Sequence, residues 1–437
     1  MAPSVAPVAS LEVLPTRADV VIIGGGIVGA AAAFFLARKG ISTLLCEKGV
    51  IGGEQSSRNW GWCRMTLRDP AEIPLMRESM GLWREMGRLA GAETGFKTTG
   101  LIYLSAGPED AAKYEAWLEK ARGHQLDSRM LSGREAATLL PGGLRDWPGA
   151  LYTPSDGGAE PDLAAPAIAE AARRQGAAVM TNCAVRGIET AGGRVAAVVT
   201  ERGRIACNAV LLAGGIWSGL FCRSLGLRLP QLKVRGSVMR TAPLSGAPEV
   251  SATGPGFGYR KRADGGYIVS QPGATIFDIV PDSFRFFGEF LPSLRSEWRN
   301  LRLRLGGRFI EEAALPRRWA LDRPSPFEAV RIMDPKPSRA VLDESARNIE
   351  AAFPAFRGMK ILERWGGMID VMPDALPVIS AVESLPGFHL ATGFSGHGFG
   401  IGPAAGRLAA DLVTGEASPA ELAPFGFGRF ASGARSS

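Results

Sequence analysis

From Val20 to Ala37 the chain carries no charged residue. The run reaches the length of a membrane span, but its interior reads otherwise. "VVII" is short and β-branched, "GGG" would weaken a helix, and the rest is alanine-rich; strand, tight turn and helix are predicted instead. The helix is expected from Ile27 to Lys39, with basic residues in its last turn and Gly40 as its cap. A second strand, "STLLCE", then ends on Glu47. The glycine-rich, polar stretch "VIGGEQSSRNWGWCRMTLRDP" reads as one long loop, and loops of that length are usually functional.

Helical periodicity resumes in "GPEDAAKYEAWLEKARG", an exposed helix. It recurs in "LSGREAATLLPG", which opens with a capping box at Ser132 and Glu135, and in "EPDLAAPAIAEAARRQG", expected to be capped by Asp162 and ended by Gly176. Short apolar runs split by "GG" and "RG" turns follow from Ala177. They predict an antiparallel meander whose buried last strand is "AVLLAGG". From about Gln231 to Pro354 strands come first, then an arginine-rich helical stretch near "SLRSEWRNLRLRLGG". That stretch is expected to be amphipathic with a solvated face, a partner-docking face being the alternative. Beyond Trp365 the pattern returns to apolar strands, glycine loops and a final helix, "GPAAGRLAADLVTG", starting at Pro403 as its first residue.

Composition narrows the class. A chain of 437 residues with 46% hydrophobic and 21% charged content is a globular protein of about two or three domains. The net charge of +7 is scattered, which favours a solvated surface over a nucleic-acid face. Five cysteines without CxxC spacing argue against a disulfide framework or a zinc site and suit a reducing compartment; a cytoplasmic location is expected. Residues 1–17 lack the features of a signal peptide and read as a flexible tail.

Two stretches carry candidate chemistry. Gly24-Gly25-Gly26-Ile27-Val28-Gly29 fits GxGxxG, lies between a strand and a helix, and is followed by an acid, Glu47, at the end of the next strand. Gly24 permits the turn, Gly26 lets a pyrophosphate approach the backbone, Gly29 lets helix pack on strand, and a carboxylate at Glu47 suits ribose hydroxyls. In "WGGMIDVMPDALPVIS", Asp370 is a lone acid in an apolar run, which needs a partner. An arginine such as Arg364, a turn cap beside Pro373, or a bound cationic group would serve.

The motif alone leaves NAD and FAD open. Four blocks in order close the choice: the fingerprint with Glu47; "SSRNWG"; "SDGGAEPDLAAPAIAEAARRQGA" with "VLLAGGIWS"; and "GFHLATGFSGHGFGIGPAAGRLAADLVTG". Over nearly the whole chain from Ala18, the sequence resembles the FAD-dependent family of D-amino-acid dehydrogenases, glycine oxidase and monomeric sarcosine oxidase. The resemblance implies an α/β fold. A Rossmann-like FAD-binding domain with a mixed sheet (18–95, 150–230 and 356–430) is joined to an antiparallel-sheet substrate domain (96–149 and 231–355). It implies FAD contacts from Gly24, Gly26, Ile27, Val28, Gly29, Glu47, Lys48, Ser56, Ser57, Arg58, Asn59, Gly61, Val185, Ala213, Gly214, Trp217, Gly367, Phe394, Ser395, Gly396, His397, Gly398 and Phe399. The reaction implied is oxidation of a C–N bond of an amine or amino acid, with hydride passing to flavin N5 and the imine then hydrolysing.

The departures are informative. Gly367 replaces the cysteine to which sarcosine oxidases attach flavin, so noncovalent FAD is expected. Ile369 stands where relatives carry a carboxylate-binding arginine, and Gly400 where sarcosine oxidases carry a lysine. Arg64 or Arg68 is a candidate replacement. Asp370, His397 and Arg64 are therefore the expected catalytic-site residues, with Asp370 holding a substrate cation and no metal. An amine or a basic amino acid is the expected substrate. Oxygen or a quinone-type compound is the expected acceptor, and a quinone is favoured because "GYIVSQPGATIFDIVPD" has no lysine. No nucleic acid and no transmembrane span are expected; peripheral membrane contact stays open. Oxidation of a 2-hydroxy acid, or service as an FAD-carrying electron-transfer subunit, are the alternatives.

Overall fold

A computed structural model describes residues 3–297 and 301–430. Its first elements follow the sequence pattern closely. Strand β1 (Val20–Ile23) turns through the glycines into helix α1 (Ile27–Arg38), and β2 (Thr43–Cys46) runs parallel to β1 in the register Val20↔Thr43. Lys39 and Gly40 end the helix, Gly40 with a positive φ of 74°. The uncharged run is therefore a strand and a helix, and no helix among the described residues is long and apolar enough to cross a membrane.

These strands belong to a six-stranded sheet. Its order is Val378–Ala381, Phe388–Thr392, Ala209–Leu212, β1, β2, Ala178–Met180. All neighbours are parallel except the hairpin of the first two. Its inner strands are mostly buried on both faces and hence largely apolar, whereas the edge strand Val378–Ala381 ends half-buried to exposed. The expected meander is real for Val185–Ala191, Arg194–Thr200 and Gly203–Ala206. Ala209–Leu212 is not its last strand, however, because it pairs with β1 in the central sheet.

A second, larger sheet holds ten strands, mostly antiparallel. Its long members are Leu232–Thr241 and Ile361–Val371, paired in the register Lys233↔Asp370 and Gly236↔Gly367. Two strands expected with the nucleotide-binding part, Gly149–Thr153 and Ile361–Val371, pair in this sheet instead.

One core lies between the central sheet and four helices, α1, Ile73–Ala90, Pro161–Arg174 and Gly398–Thr414. Alanines let them pack closely. A Cβ on Gly406 would fall 2.7 Å from the Ala32 nitrogen and 2.8 Å from the Val28 carbonyl oxygen.

Several local expectations are corrected. The "loop" after β2 contains a helical turn, α2 (Gln55–Arg58). Glu160, not Asp162, is the cap residue of Pro161–Arg174, because Pro161 takes the first helical position. The expected final helix starts at Gly398 with His397 as its cap, so Pro403 lies inside it, and a short helix, Pro419–Leu422, follows. The tail is tied down. Leu11 N–H donates to the Val179 carbonyl over 2.9 Å, and Arg17 bridges to Ala206. The arginine-rich stretch is a helix only over Phe287–Glu297, and Leu301–Arg304 is a strand; residues 298–300 of that stretch lie outside the described residues. The capping box at Ser132 and Glu135 is present.

Candidate active site

The tight turn before α1 is the first wall of the site. Gly24 has a φ of 108° and Gly29 sits against the Gly24 carbonyl, so a side chain at either would collide with backbone. At the helix N-terminus the Ile27 N–H donates to Ser56 Oγ over 2.8 Å. Ser56 thus pins α2 to the turn. Glu47 receives the Gly25 and Gly49 N–H groups, each at 2.7 Å, and burial raises its carboxyl above the ordinary range. Asn59 caps α2 by donating to the Gln55 and Ser56 carbonyls and accepting from the Gly61 N–H.

A cleft of about 520 Å³ starts at this turn. Gly24, Gly26, Ile27, Val28, Glu47, Lys48, Ser56, Arg58, Asn59, Val185, Ala213, Gly214, Trp217, Gly367 and Phe394 through Phe399 all line it. Among the expected cofactor residues, Gly29, Ser57 and Gly61 do not. Gly29 acts through packing, and Ser57 Oγ turns back to the Glu54 carbonyl. Gly61, at a φ of 81°, lies against the Ala159 backbone and Arg260. The Lys48 ammonium is already engaged by Glu54, two backbone carbonyls and the Trp217 ring 4.4 Å away.

The far end of the cleft joins the strand Trp62–Cys63, in a small three-stranded sheet, to Leu101–Leu104 of the larger sheet. Trp60 and Trp62 meet edge to face at 4.6 Å, and Trp62 approaches Tyr103 at 6.4 Å. Arg64 lies 5.9 Å over the Tyr103 ring and donates to the Thr66 carbonyl. Among the described residues no carboxylate pairs with Arg64. Arg68 differs: it is buried, faces Glu72 at 3.6 Å, and donates to the His397 carbonyl over 3.2 Å. Both candidate arginines line the cleft; Arg68 is buried and faces a carboxylate, whereas Arg64 is half-buried and faces none among the described residues.

His397 Nδ1 stands 3.6 Å from the same Glu72 carboxylate. Burial and the neighbouring Arg68 charge pull its imidazole down to about 4, so it is neutral near pH 7. Burial pushes Glu72 up, but Arg68 and His397 reverse this and leave it lowered, hence ionised. Glu72 Oε1, Arg68 Nη1 and His397 Nδ1 are all buried without a hydrogen-bond partner, and so is Nη2 of Arg58 in the cleft wall.

Asp370 also reaches the cleft wall and is 2% exposed. Among the described residues no arginine or lysine pairs with it. Arg364 is exposed, and Lys233, its register partner, has its ammonium on Glu312 at 2.9 Å. Asp370 Oδ2 accepts from Gln231 Nε2 over 3.2 Å, and Gln55 and the Phe394 N–H also bond the carboxylate. Gln231 in turn holds the Gly215 carbonyl and the Gly219 N–H. Burial raises the Asp370 carboxyl. The adjacent Ile369, on the opposite face of the strand, lies against Gly236 and Gly396. Asp374, by contrast, is paired with Arg429 at the surface.

The cradle fits a dinucleotide carrying a flat ring: a glycine turn at a helix N-terminus, an acid at the end of the next strand, and a second helix N-terminus at Gly398. The profile of the FAD dependent oxidoreductase family, DAO, matches residues 19–412. The chain belongs to that family. It is thus an FAD-dependent oxidoreductase. The structure of L-amino acid deaminase from Proteus myxofaciens, in complex with anthranilate, is 36% identical over 98% of this chain and 96% of that one, with a TM-score of 0.93. Sarcosine oxidase subunit beta of Rhodobacter capsulatus is 25% identical over 95% of this chain and 89% of its own length. Mouse mitochondrial sarcosine dehydrogenase is 28% identical over 56% of this chain, which spans only 27% of that longer protein.

Sequence reasoning missed Glu72, Asp156 and the aromatic wall of Trp60, Trp62 and Tyr103. Arg68 and Glu72 at i and i+4 were a legible pair. Tyr103, in contrast, arrives from a strand far along the chain.

Proposed function

We propose that this enzyme oxidatively deaminates an L-α-amino acid with a large apolar side chain. The reaction is a two-electron oxidation of a carbon–nitrogen bond. FAD, when bound, supplies the two-electron acceptor for the substrate's hydride. The imine left on the substrate takes up water and yields a 2-oxo acid and ammonium. The observation that carries the reading is Arg64, a cation without a carboxylate partner beside an aromatic wall, in a chain similar to an L-amino acid deaminase. Arg64 grips the α-carboxylate through charge-assisted hydrogen bonds. Trp60, Trp62 and Tyr103 receive the side chain.

Asp370 is assigned to the cofactor cradle rather than to a substrate cation. It joins α2, the Gly215–Gly219 segment and the strand Ile361–Val371 through two glutamines. The remaining carboxylates on the cleft, Glu47 and Glu54, lie at the nucleotide end, so nothing at the aromatic end favours a basic side chain. The central sheet and its helices hold the noncovalent FAD, and the larger sheet receives the substrate.

A quinone-type acceptor is proposed. Gln271 to Thr275 line the cleft without a lysine, and Phe284, Phe287, Leu303, Leu305 and Ile310 are exposed beside Arg285 and Arg302, which supports peripheral membrane contact. Five free, buried cysteines support a reducing, cytoplasmic setting. The test is an anaerobic panel of L- and D-amino acids, simple amines and 2-hydroxy acids. Flavin bleaching by large L-amino acids is expected. Bleaching only by D-amino acids, amines or hydroxy acids overturns the reading, and bleaching by none of them assigns the chain to electron transfer.

A further inference from the structure

Asp156 is a buried carboxylate that the reaction does not use directly, and it faces the segment that carries Arg64. It follows the strand Gly149–Thr153 and is fully buried. Oδ1 accepts the Met65 N–H over 2.6 Å. Oδ2 accepts the Thr66 N–H over 3.3 Å and the Thr66 hydroxyl. Thr66 Oγ1 also meets Thr153 Oγ1 at 2.6 Å, and Thr153 meets Ser128 Oγ at 2.6 Å. The Asp156 carbonyl takes the Thr99 and Gly100 N–H groups, which ties the same turn to the chain just before Tyr103. The Thr66 carbonyl, whose own amide is on Asp156, receives the Arg64 guanidinium. Three donors from two consecutive residues thus converge on one carboxylate, and the arginine is braced against the peptide they hold.

We infer that Asp156 is a positioning residue for substrate binding: by clamping Met65 and Thr66 it fixes the Arg64 guanidinium over Tyr103, in the place where the substrate carboxylate docks. The inference rests on the reading of Arg64 given above. The ionisable groups that face Asp156 are Arg64 and Arg68 on the clamped segment, Cys63 next to it, and Tyr103 on the neighbouring strand. Burial lifts its own carboxyl to about 6. Above that pH the clamp is an acceptor of three hydrogen bonds; below it, one oxygen carries a proton and competes with the Thr66 donors.

Asp156→Asn conserves size but places an NH2 group against donors. The experiment measures steady-state KM and kcat of holoenzyme for an amino-acid substrate from pH 5 to 9. It does so in wild type, Asp156→Asn, Arg64→Gln and the double variant, with FAD content and absorption spectrum recorded for each. The expected result is a rise in KM of about tenfold in Asp156→Asn, corresponding to one lost hydrogen bond at the clamp. FAD content is unchanged, and the wild-type rise in KM below about pH 6 is lost. The double variant is no worse than Arg64→Gln alone. An Arg64→Gln effect with additive Asp156→Asn losses, or with the acid rise in KM intact, overturns the clamp while leaving the carboxylate grip standing. An unchanged KM in Arg64→Gln overturns the grip itself, and the clamp's function with it. Should Asp156→Asn fail to fold, Thr66→Val removes one clamp donor and is held to the same outcomes.

Discussion

Substituting Gly29 by alanine should weaken FAD binding by one to two orders of magnitude without unfolding the protein. The added methyl would lie well inside contact of the Gly24 carbonyl oxygen and 3.4 Å from Ala213 Cβ. Neither neighbour is a flexible side chain end, so the turn from Gly24 to Gly26 must give by about 1 Å, at a cost of about 1–3 kcal/mol. That turn presents the amides at the helix N-terminus, so the cost falls on the cofactor: about 1.4 kcal/mol is tenfold in affinity. The assay is titration of apoprotein with FAD, followed by quenching of flavin fluorescence, alongside thermal unfolding of the apo form. Gly81, within the helix Ile73–Ala90, has nothing within 4 Å of a built Cβ. Gly81→Ala should stabilise the fold by about 0.5–1 kcal/mol and leave FAD affinity alone. An FAD affinity in Gly29→Ala within twofold of wild type would refute the packing argument for the fingerprint.

Other consequences follow from the same geometry. Asp370→Asn leaves a Gln231 or Gln55 donor facing an NH2 group, which costs about 1–3 kcal/mol in the cradle; FAD affinity and the melting temperature should fall while the ranking of amino-acid substrates stays the same. A switch toward or away from basic substrates would restore a substrate role to Asp370. His397, held at about 4, charges only well below neutral pH; His397→Asn should leave the shape of the pH profile between 6 and 9 unaltered, and loss of a limb in that range would contradict this. Co-sedimentation with anionic vesicles should fall when Phe284 and Phe287 are changed to serine, with turnover on a soluble acceptor retained; equal sedimentation of both proteins would remove the membrane argument.

The nucleotide half was legible because each of its devices is local. A strand, a glycine turn, a helix and an acid lie within 30 residues, and sterics fix their arrangement. The pairing of Ala209–Leu212 with β1 was not legible, because an apolar strand flanked by turns fits a meander and a parallel sheet equally well. Asp370 shows the limit most clearly. Its isolation in an apolar run correctly marked it as a buried acid in need of donors. Gln231, 139 positions away, donates to the carboxylate; Gln55, 315 positions away, also bonds the carboxylate and accepts the Asp370 N–H; neither carries a charge. Arg68 had a legible partner four positions on, Glu72; that Arg64 meets no carboxylate among the described residues was visible only once the chain was folded.

The most direct measurement of the central claim is product stoichiometry. Purified holoenzyme is incubated anaerobically with a large apolar L-amino acid and a quinone-type acceptor. The expected products are 2-oxo acid, ammonium and reduced acceptor in a ratio of one to one to one, with the D-enantiomer unreactive. Turnover of the D-enantiomer alone, or a reduced acceptor without ammonium, would contradict it.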